Sequence, residues 1–240
     1  MPVLTLKNLE KTYHGRRVVD SVSLEVNSKD VVGLLGPNGA GKTTTFYMAV
    51  GMIRADGGEV LINNEDITEY PMYLRARKGI GYLPQEVSIF KKLTVKENIM
   101  AILELLPFLD SKRKNRADSL LEELGIRHLS DHKASFLSGG ERRRLEITRV
   151  LATDPSFILL DEPFAGIDPL AIIDIQNIIK QLTERDIGIL ISDHNVRETL
   201  GVCDNAFILN NGKVIESGSP EKIATSKTAR KIYLGEEFKL

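Results

Sequence analysis

The chain's 240 residues carry 32 Lys and Arg against 33 Asp and Glu, a net charge of −1, so bulk electrostatics gives no case for nucleic-acid binding. Hydrophobic residues at 42% and charged residues at 27% suit one large globular domain, or one core domain with a smaller insertion. The single Cys203 excludes an intramolecular disulfide framework, the first residues lack the basic-then-apolar order of a signal peptide, and no apolar run approaches ~18 residues, so no membrane span is expected.

The first 85 residues read mostly as strands. Segments 3–8, 21–26, 31–36, 58–63 and 79–83 are short, apolar-rich and broken by turn residues. From about 87 to 152 the pattern turns helical. Thr94 and Glu97 have capping-box spacing ahead of Ile99, Ile102 and Leu103, and 112–124 is a charged amphipathic helix with Gly125 placed to end it. After Pro155 strands and helices alternate. Phe157-Ile158-Leu159-Leu160 is a buried strand, and Asp168-Pro169 is an N-cap followed by proline at the first helical position. Ile175, Ile178, Ile179 and Leu182 give that helix one apolar face. Segments 187–192 and 205–210 are further strands, and Asn211-Gly212 signals a hairpin. The expectation is an α/β core with a parallel sheet, formed by 1–86 and 153–240, carrying a helical insertion over 87–152. Ligand groups are expected at the C-terminal ends of the strands.

Three stretches carry chemistry. Gly36-Pro37-Asn38-Gly39-Ala40-Gly41-Lys42-Thr43 fits the phosphate-loop pattern, lies between a strand and a helix, and runs on into Thr44. Glycines let backbone N–H groups converge on an anion, and the helix start adds unpaired N–H groups and a positive dipole end. Lys42 is expected on the β- and γ-phosphates and the Thr43 hydroxyl on Mg²⁺. A strand ending in Asp161-Glu162 places one carboxylate where that Mg²⁺ would be held and a second within reach of an attacking water. Standing alone, this pair would be an acidic turn before Pro163. Ser138-Gly139-Gly140-Glu141 opens a helix with a capping box, and its paired glycines leave the helix start open to a second anion. The following Arg142-Arg143-Arg144 reads as a solvated helix face, with acidic partner loops or lipid headgroups as the other reading.

Over nearly its full length this set of motifs resembles the nucleotide-binding subunits of ATP-binding-cassette (ABC) transporters. The resemblance implies a P-loop NTPase core with an N-terminal antiparallel β subdomain and an inserted α-helical subdomain. It also implies hydrolysis of ATP with Mg²⁺, and assembly as a head-to-tail homodimer in which each ATP lies between one copy's phosphate loop and the other's signature Leu137–Glu141. It makes Gln85 the Q-loop glutamine, with a Mg²⁺ and water contact, Asp168 part of the D-loop, His194 the switch histidine on the γ-phosphate, and Tyr13 the ring that stacks on adenine. Taken singly, Gln85 would be a loop amide, His194 a structural histidine, and Tyr13 a surface or core ring. Three positions depart from the common pattern: Glu141 stands for Gln, with its charge expected to point away from the phosphate. The D-loop Ala165-Gly166-Ile167-Asp168 lacks the frequent serine, and Asp193-His194-Asn195 replaces Thr-His-Asp.

Within the family, Phe164–Pro169, Ser192–Leu200 and the tail Tyr233–Leu240 resemble the ATPases that power lipopolysaccharide export. This implies two LptF/LptG-like transmembrane subunits as partners, an LptC-like component beside them, and a place on the cytoplasmic face of the inner membrane reached only through those partners. Phe90, between Ile89 and Lys91-Lys92, is the candidate anchor for a partner helix, the alternative being a core ring of the helical insertion. Branched-chain amino-acid importer ATPases share the Phe-Ala-Gly stretch and are the rival. Soluble ABC ATPases with coiled-coil or tandem cassettes and P-loop kinases fit less well.

Overall fold

The computed structural model describes residues 1–166, 168–238 and 240. Strands β1 (Val3–Tyr13), β2 (Arg16–Asn27), β4 (Gly57–Ile62) and β5 (Glu65–Asp66) form an antiparallel sheet in the order β2-β1-β4-β5. β1 and β2 run well past the expected 3–8 and 21–26. A bulge at Asn8 (φ 50°) resets the pleat after Leu4 and Leu6, so Leu9 also turns inward. The polar residues beyond it then pair across the hairpin, Thr12 with Arg17 and Tyr13 with Arg16.

The second sheet contains β3 (Val31–Leu35), β6 (Ile80–Leu83), β7 (Phe157–Asp161), β8 (Gly188–Ser192), β9 (Asn205–Asn210) and β10 (Lys213–Gly218). Its order is β10-β9-β3-β8-β7-β6, parallel except for β10, so the expected α/β core with a parallel sheet is borne out. β10 turns back at Asn211-Gly212, both with positive φ, as a two-residue hairpin requires.

The central strands are apolar on both faces because both faces are covered. Along β7, Phe157 and Leu159 face a core shared with the antiparallel sheet and with α1 (Lys42–Val50). Ile158 and Leu160 face a second core shared with α6 (Pro169–Glu184), whose Ile175, Ile178, Ile179 and Leu182 are all buried as the periodicity predicts. That second core continues into three helices threaded between β6 and β7: α3 (Val95–Leu103), α4 (Asp110–Glu123) and α5 (Gly139–Leu151). Thr94 caps α3 in a complete capping box, and Gly125, at φ 67°, follows the end of α4. Short helices include α2 (Met72–Arg77), α7 (Val196–Leu200) and α8 (Pro220–Thr225).

One buried cation fixes the helix that carries the phosphate loop. Arg75 of α2 donates through Nη1 to the carbonyls of Met48 (2.6 Å) and Ala49 (2.8 Å), at the C-terminal end of α1. Its Nε reaches Tyr70 O at 2.8 Å and its Nη2 reaches Thr68 O at 2.6 Å. The carbonyls left open at a helix end are thereby satisfied, and their negative dipole end faces a guanidinium. Burial holds the Arg75 pKa down, to about 10. Arg75→Met should lower the unfolding free energy by about 3 kcal/mol or more, since several buried acceptors lose their donors together. Arg75→Lys should recover only part of this, because one ammonium cannot span the four carbonyls. Denaturant midpoints for the parent and both variants check this.

Candidate nucleotide site

The phosphate loop leaves β3 at Gly36, whose φ of 148° and lack of a side chain are both required: a Cβ there would lie 2.1 Å from Leu209 O. At Gly41, φ 108°, a Cβ would lie 2.6 Å from Val18 O. The loop can therefore sit close against β2 and β9 before α1 begins at Lys42. Lys42 is buried and donates to the carbonyls of Gly36 (2.7 Å) and Pro37 (3.2 Å). Burial lowers its pKa, and the fields of Glu162, Asp161 and Asp193 oppose that shift. Asn38, Gly39, Ala40, Gly41, Lys42, Thr43 and Thr44 line a pocket of about 150 Å³, together with Val18 and Glu162.

Glu162 comes from the end of β7. The last paired residues of β7 and β8 are Asp161 and Ser192, and one further bond runs from Glu162 N to Ser192 O at 2.6 Å. Asp161 is only 2% exposed, and burial, followed by the neighbouring charge of Glu162, raises its pKa to about 6. The Tyr82 hydroxyl donates to Asp161 Oδ2 at 3.4 Å. Glu162 has left-handed backbone, φ 47°. Its Oε2 accepts from Gln85 Nε2 at 2.7 Å and lies 3.3 Å from His194 Nδ1. The fold thus brings Lys42, Asp161, Glu162, Gln85 and His194 to one edge of the sheet. Gln85, expected on a metal, has its amide nitrogen on the Glu162 carboxylate.

Asp193, in the sequence simply a departure from the switch pattern, is completely buried. Its Oδ2 accepts from Phe164 N and its Oδ1 from Asn195 N, both at 2.8 Å. Asn195 Nδ2 donates to Phe164 O at 3.3 Å. The available signal was its position: like Asp161, it directly follows an apolar strand.

The other expected site residues lie apart from the pocket. Ser138 caps α5, accepting from Glu141 N at 3.3 Å, while its own N–H and hydroxyl both donate to Glu141 Oε2 at 2.8 Å. The Glu141 carboxylate therefore folds back over the helix start, as the capping box requires, and these bonds lower its pKa. Among the described residues lining the pocket, none comes from Ser138, Gly139, Gly140 or Glu141. The solvated-face reading of Arg142–Arg144 fails at Arg143, which is buried, while Arg142 and Arg144 stay partly exposed. Arg142 donates to Leu137 O. Arg143 is buried, pairs with Glu146 at 3.1 Å and reaches Pro84 O, and Arg144 bonds Leu124 O and Asp174.

Tyr13 ends β1 with 43% of its surface exposed and the Lys11 ammonium 5.6 Å from its ring centroid. Its cross-strand partner is Arg16. Asp168 caps α6 through bonds from Leu170 N (3.1 Å) and Ala171 N (3.0 Å). Ile167 of the D-loop and Lys239 of the tail lie outside the described residues. Phe90 is 45% exposed, so it is not a core ring, and the Arg149 guanidinium stacks 4.6 Å from its centroid. Arg149 also lines a groove of about 440 Å³ with Met52, Met72, Tyr82, Ile102 and Val150.

Asp161 gives a pH test with a definite sign. Its folded pKa, about 6, stands above the reference value of 3.8. Between pH 4 and 6 the folded chain keeps a proton that the unfolded chain has lost, so this group's contribution is favourable at low pH and is lost as pH rises through the folded pKa. Asp161→Asn should therefore match the parent near pH 4 and exceed it by ~1–3 kcal/mol at pH 7.5 in nucleotide-free solution. Denaturant unfolding across that pH range checks this.

Residues 19–165 match the family described as ABC transporter. The chain is 56% identical to the lipopolysaccharide export system ATP-binding protein LptB of Haemophilus influenzae, over 100% of both chains, and 55% identical to the protein of that name from Escherichia coli K12, again over 100% of both. It is similar to a solved ATP-binding cassette of an ABC transporter in its ADP conformation, with a TM-score of 0.87, 32% identity, and 98% of this chain and 100% of that one covered. A nucleotide-free cassette gives a TM-score of 0.86 at the same identity and coverage. The phosphate loop, the carboxylates at the end of β7 and the capped start of α5 thus occur on a fold and sequence of one kind, and the chain belongs to the ABC transporter family as an ATP-binding, ATP-hydrolysing subunit.

Proposed function

We propose that the chain is the ATPase of a lipopolysaccharide exporter, working as a homodimer beneath two LptF/LptG-like transmembrane subunits and an LptC-like component on the cytoplasmic face of the inner membrane. Full-length identity of 55–56% to the LptB proteins supports the assignment to lipopolysaccharide export. No helix among the described residues is long and apolar enough to cross a membrane, so contact with the bilayer is assigned to the partners.

The observation that carries the mechanism is the convergence of Gln85 and His194 on the Glu162 carboxylate, which itself lines the phosphate-loop pocket. In this reading the loop from Gly36 to Thr44 cradles the triphosphate, Lys42 neutralises its outer phosphates, and Tyr13 offers its ring to adenine. Glu162 takes the proton of the attacking water, with His194 beside the γ-phosphate. Thr43, Gln85 and Asp161 would hold Mg²⁺, which neutralises charge on the transferring phosphoryl group. An all-oxygen donor set suits that hard cation, and the buried Asp161 beside Glu162 lacks the positive charge it would supply. The substrate's phosphates would complete the coordination. The absence of Ser138–Glu141 from the pocket wall supports a second copy that brings its own α5 start, with the Asp168 loop, against the nucleotide. The helical insertion, 87–152, would then carry that start.

The half-exposed Phe90, beside the groove lined by Met52, Met72 and Arg149, is the assigned seat for a helix of the membrane subunits. Aromatic anchors of this kind often carry ~2 kcal/mol or more of interface energy.

Glu162→Gln should still bind ATP and hold a closed dimer, with turnover reduced by ~10²-fold or more; multiple-turnover phosphate release checks it, and near-normal rates would contradict the role of Glu162. The parent chain should co-purify two related membrane proteins with large periplasmic domains. Phe90→Ala should weaken that recovery while the isolated chain stays folded. Recovery of amino-acid permease subunits instead would contradict the assignment to lipopolysaccharide export.

A further inference from the structure

The β7/β8 ladder stops at the bond from Glu162 N to Ser192 O. Beyond it the two chains part, one towards α6 and the other through His194 into α7. Side chains take over at that point. Asp193 accepts the Phe164 N–H, Asn195 donates to the Phe164 carbonyl, and Asp193 also accepts from Asn195 N. Phe164 is 1% exposed and Asp193 is fully buried, so water does not compete for these bonds. Lys42 and Arg143 lie close enough to offset the buried charge of Asp193.

Two residues of the proposed chemistry sit inside this arrangement. Glu162 holds a left-handed φ of 47° and precedes Pro163. For a residue with a Cβ that conformation costs ~1–2 kcal/mol and persists only where its surroundings fix it. His194 lies between Asp193 and Asn195, with its imidazole half-exposed and Nδ1 3.3 Å from Glu162 Oε2.

We propose that Asp193 and Asn195 form a clasp on the Phe164 peptide that keeps Glu162 and His194 in one fixed relation, so that Asp193 and Asn195 are positioning residues for hydrolysis. This rests on the reading of Glu162 as the base. The clasp sets the path of 162–164 and pins both neighbours of His194, whose Nδ1 lies 3.3 Å from Glu162 Oε2 and 3.6 Å from Asp193 Oδ1. The clasp's hydrogen bonds go to the Phe164 peptide and Asn195 and not to the phosphate loop, so its loss should affect turnover more than binding.

The test compares the full-length parent with Asp193→Ala, Asp193→Asn, Asn195→Ala and Glu162→Gln, measuring ATP affinity with a non-hydrolysable analogue, steady-state KM and kcat, and melting temperature. Asp193→Ala should keep analogue affinity within ~3-fold while kcat falls ~10–100-fold, the scale of a misplaced catalytic group. Asp193→Asn keeps one acceptor and should fall between Asp193→Ala and the parent. Asn195→Ala should lower kcat by ~3–10-fold at unchanged affinity, and it decides the matter alone if Asp193→Ala does not fold. Slow Glu162→Gln with kcat unchanged in the folded clasp variants overturns the clasp, as does a kcat loss matched by lost affinity. Normal turnover in Glu162→Gln removes the reading of Glu162 as base, and the clasp's role with it.

Discussion

Negative charge gathered at the C-terminal edge of the parallel sheet is the constraint on which the rest of this structure depends. Asp161, Glu162 and Asp193 end two adjacent strands, and Asp161 and Asp193 are almost completely buried. Burying carboxylates is unfavourable unless cations or donors meet them. Asp193 has its donors in two backbone N–H groups. Among the described residues the Asp161 carboxylate accepts the long bond from Tyr82, and burial followed by the charge of Glu162 raises its pKa. Lys42 is the cation of the phosphate loop nearest this edge, and its ammonium is already bonded to loop carbonyls. This edge is the electrostatic logic of the proposed Mg²⁺–ATP chemistry.

The elements around that edge are held by backbone acceptors more than by exposed ion pairs. Arg75 binds the end of α1 through carbonyls, which fixes the far end of the helix that begins at Lys42. On the other side, α5 grips the stretch carrying Gln85. Arg143 donates to Pro84 O, Glu146 accepts from Ser88 N, and Arg149 donates to Ser88 O. The capped start of α5 and the Gln85 stretch are therefore one packed unit, and Arg149 extends it to Phe90 and the apolar groove. Exposed pairs such as Lys7–Glu59 contribute little by comparison.

What the sequence disclosed was local. The glycine spacing before Lys42, the strand running into Asp161-Glu162, the caps at Thr94, Ser138 and Asp168, and the Ile175–Leu182 face each depend on residues within two helical turns, and each appears where expected. What it hid depends on partners distant in the chain. Arg143 read as solvated because its acceptors lie on the Pro84 stretch and the β7 end. Arg75 gave no signal because the carbonyls it serves are 26 and 27 residues earlier. The clasp joins positions 29 and 31 residues apart, and neither Asp193 nor Asn195 stands out until β7 and β8 are placed side by side. Glu141 was legible as a capping residue, and its carboxylate closes the box on Ser138.

The central claim is that each phosphate loop is half of a site, completed by the α5 start of another copy. Thiol cross-linking tests it most directly, and the only native cysteine, Cys203, is buried with its thiol pKa pushed up, leaving a quiet background. One preparation carries Asn38→Cys and another Ser138→Cys, mixed with a short bifunctional thiol reagent, Mg²⁺ and a non-hydrolysable ATP analogue. The account predicts a covalent heterodimer that forms only when nucleotide is present. No heterodimer, together with a link inside a single chain carrying both substitutions, would contradict it.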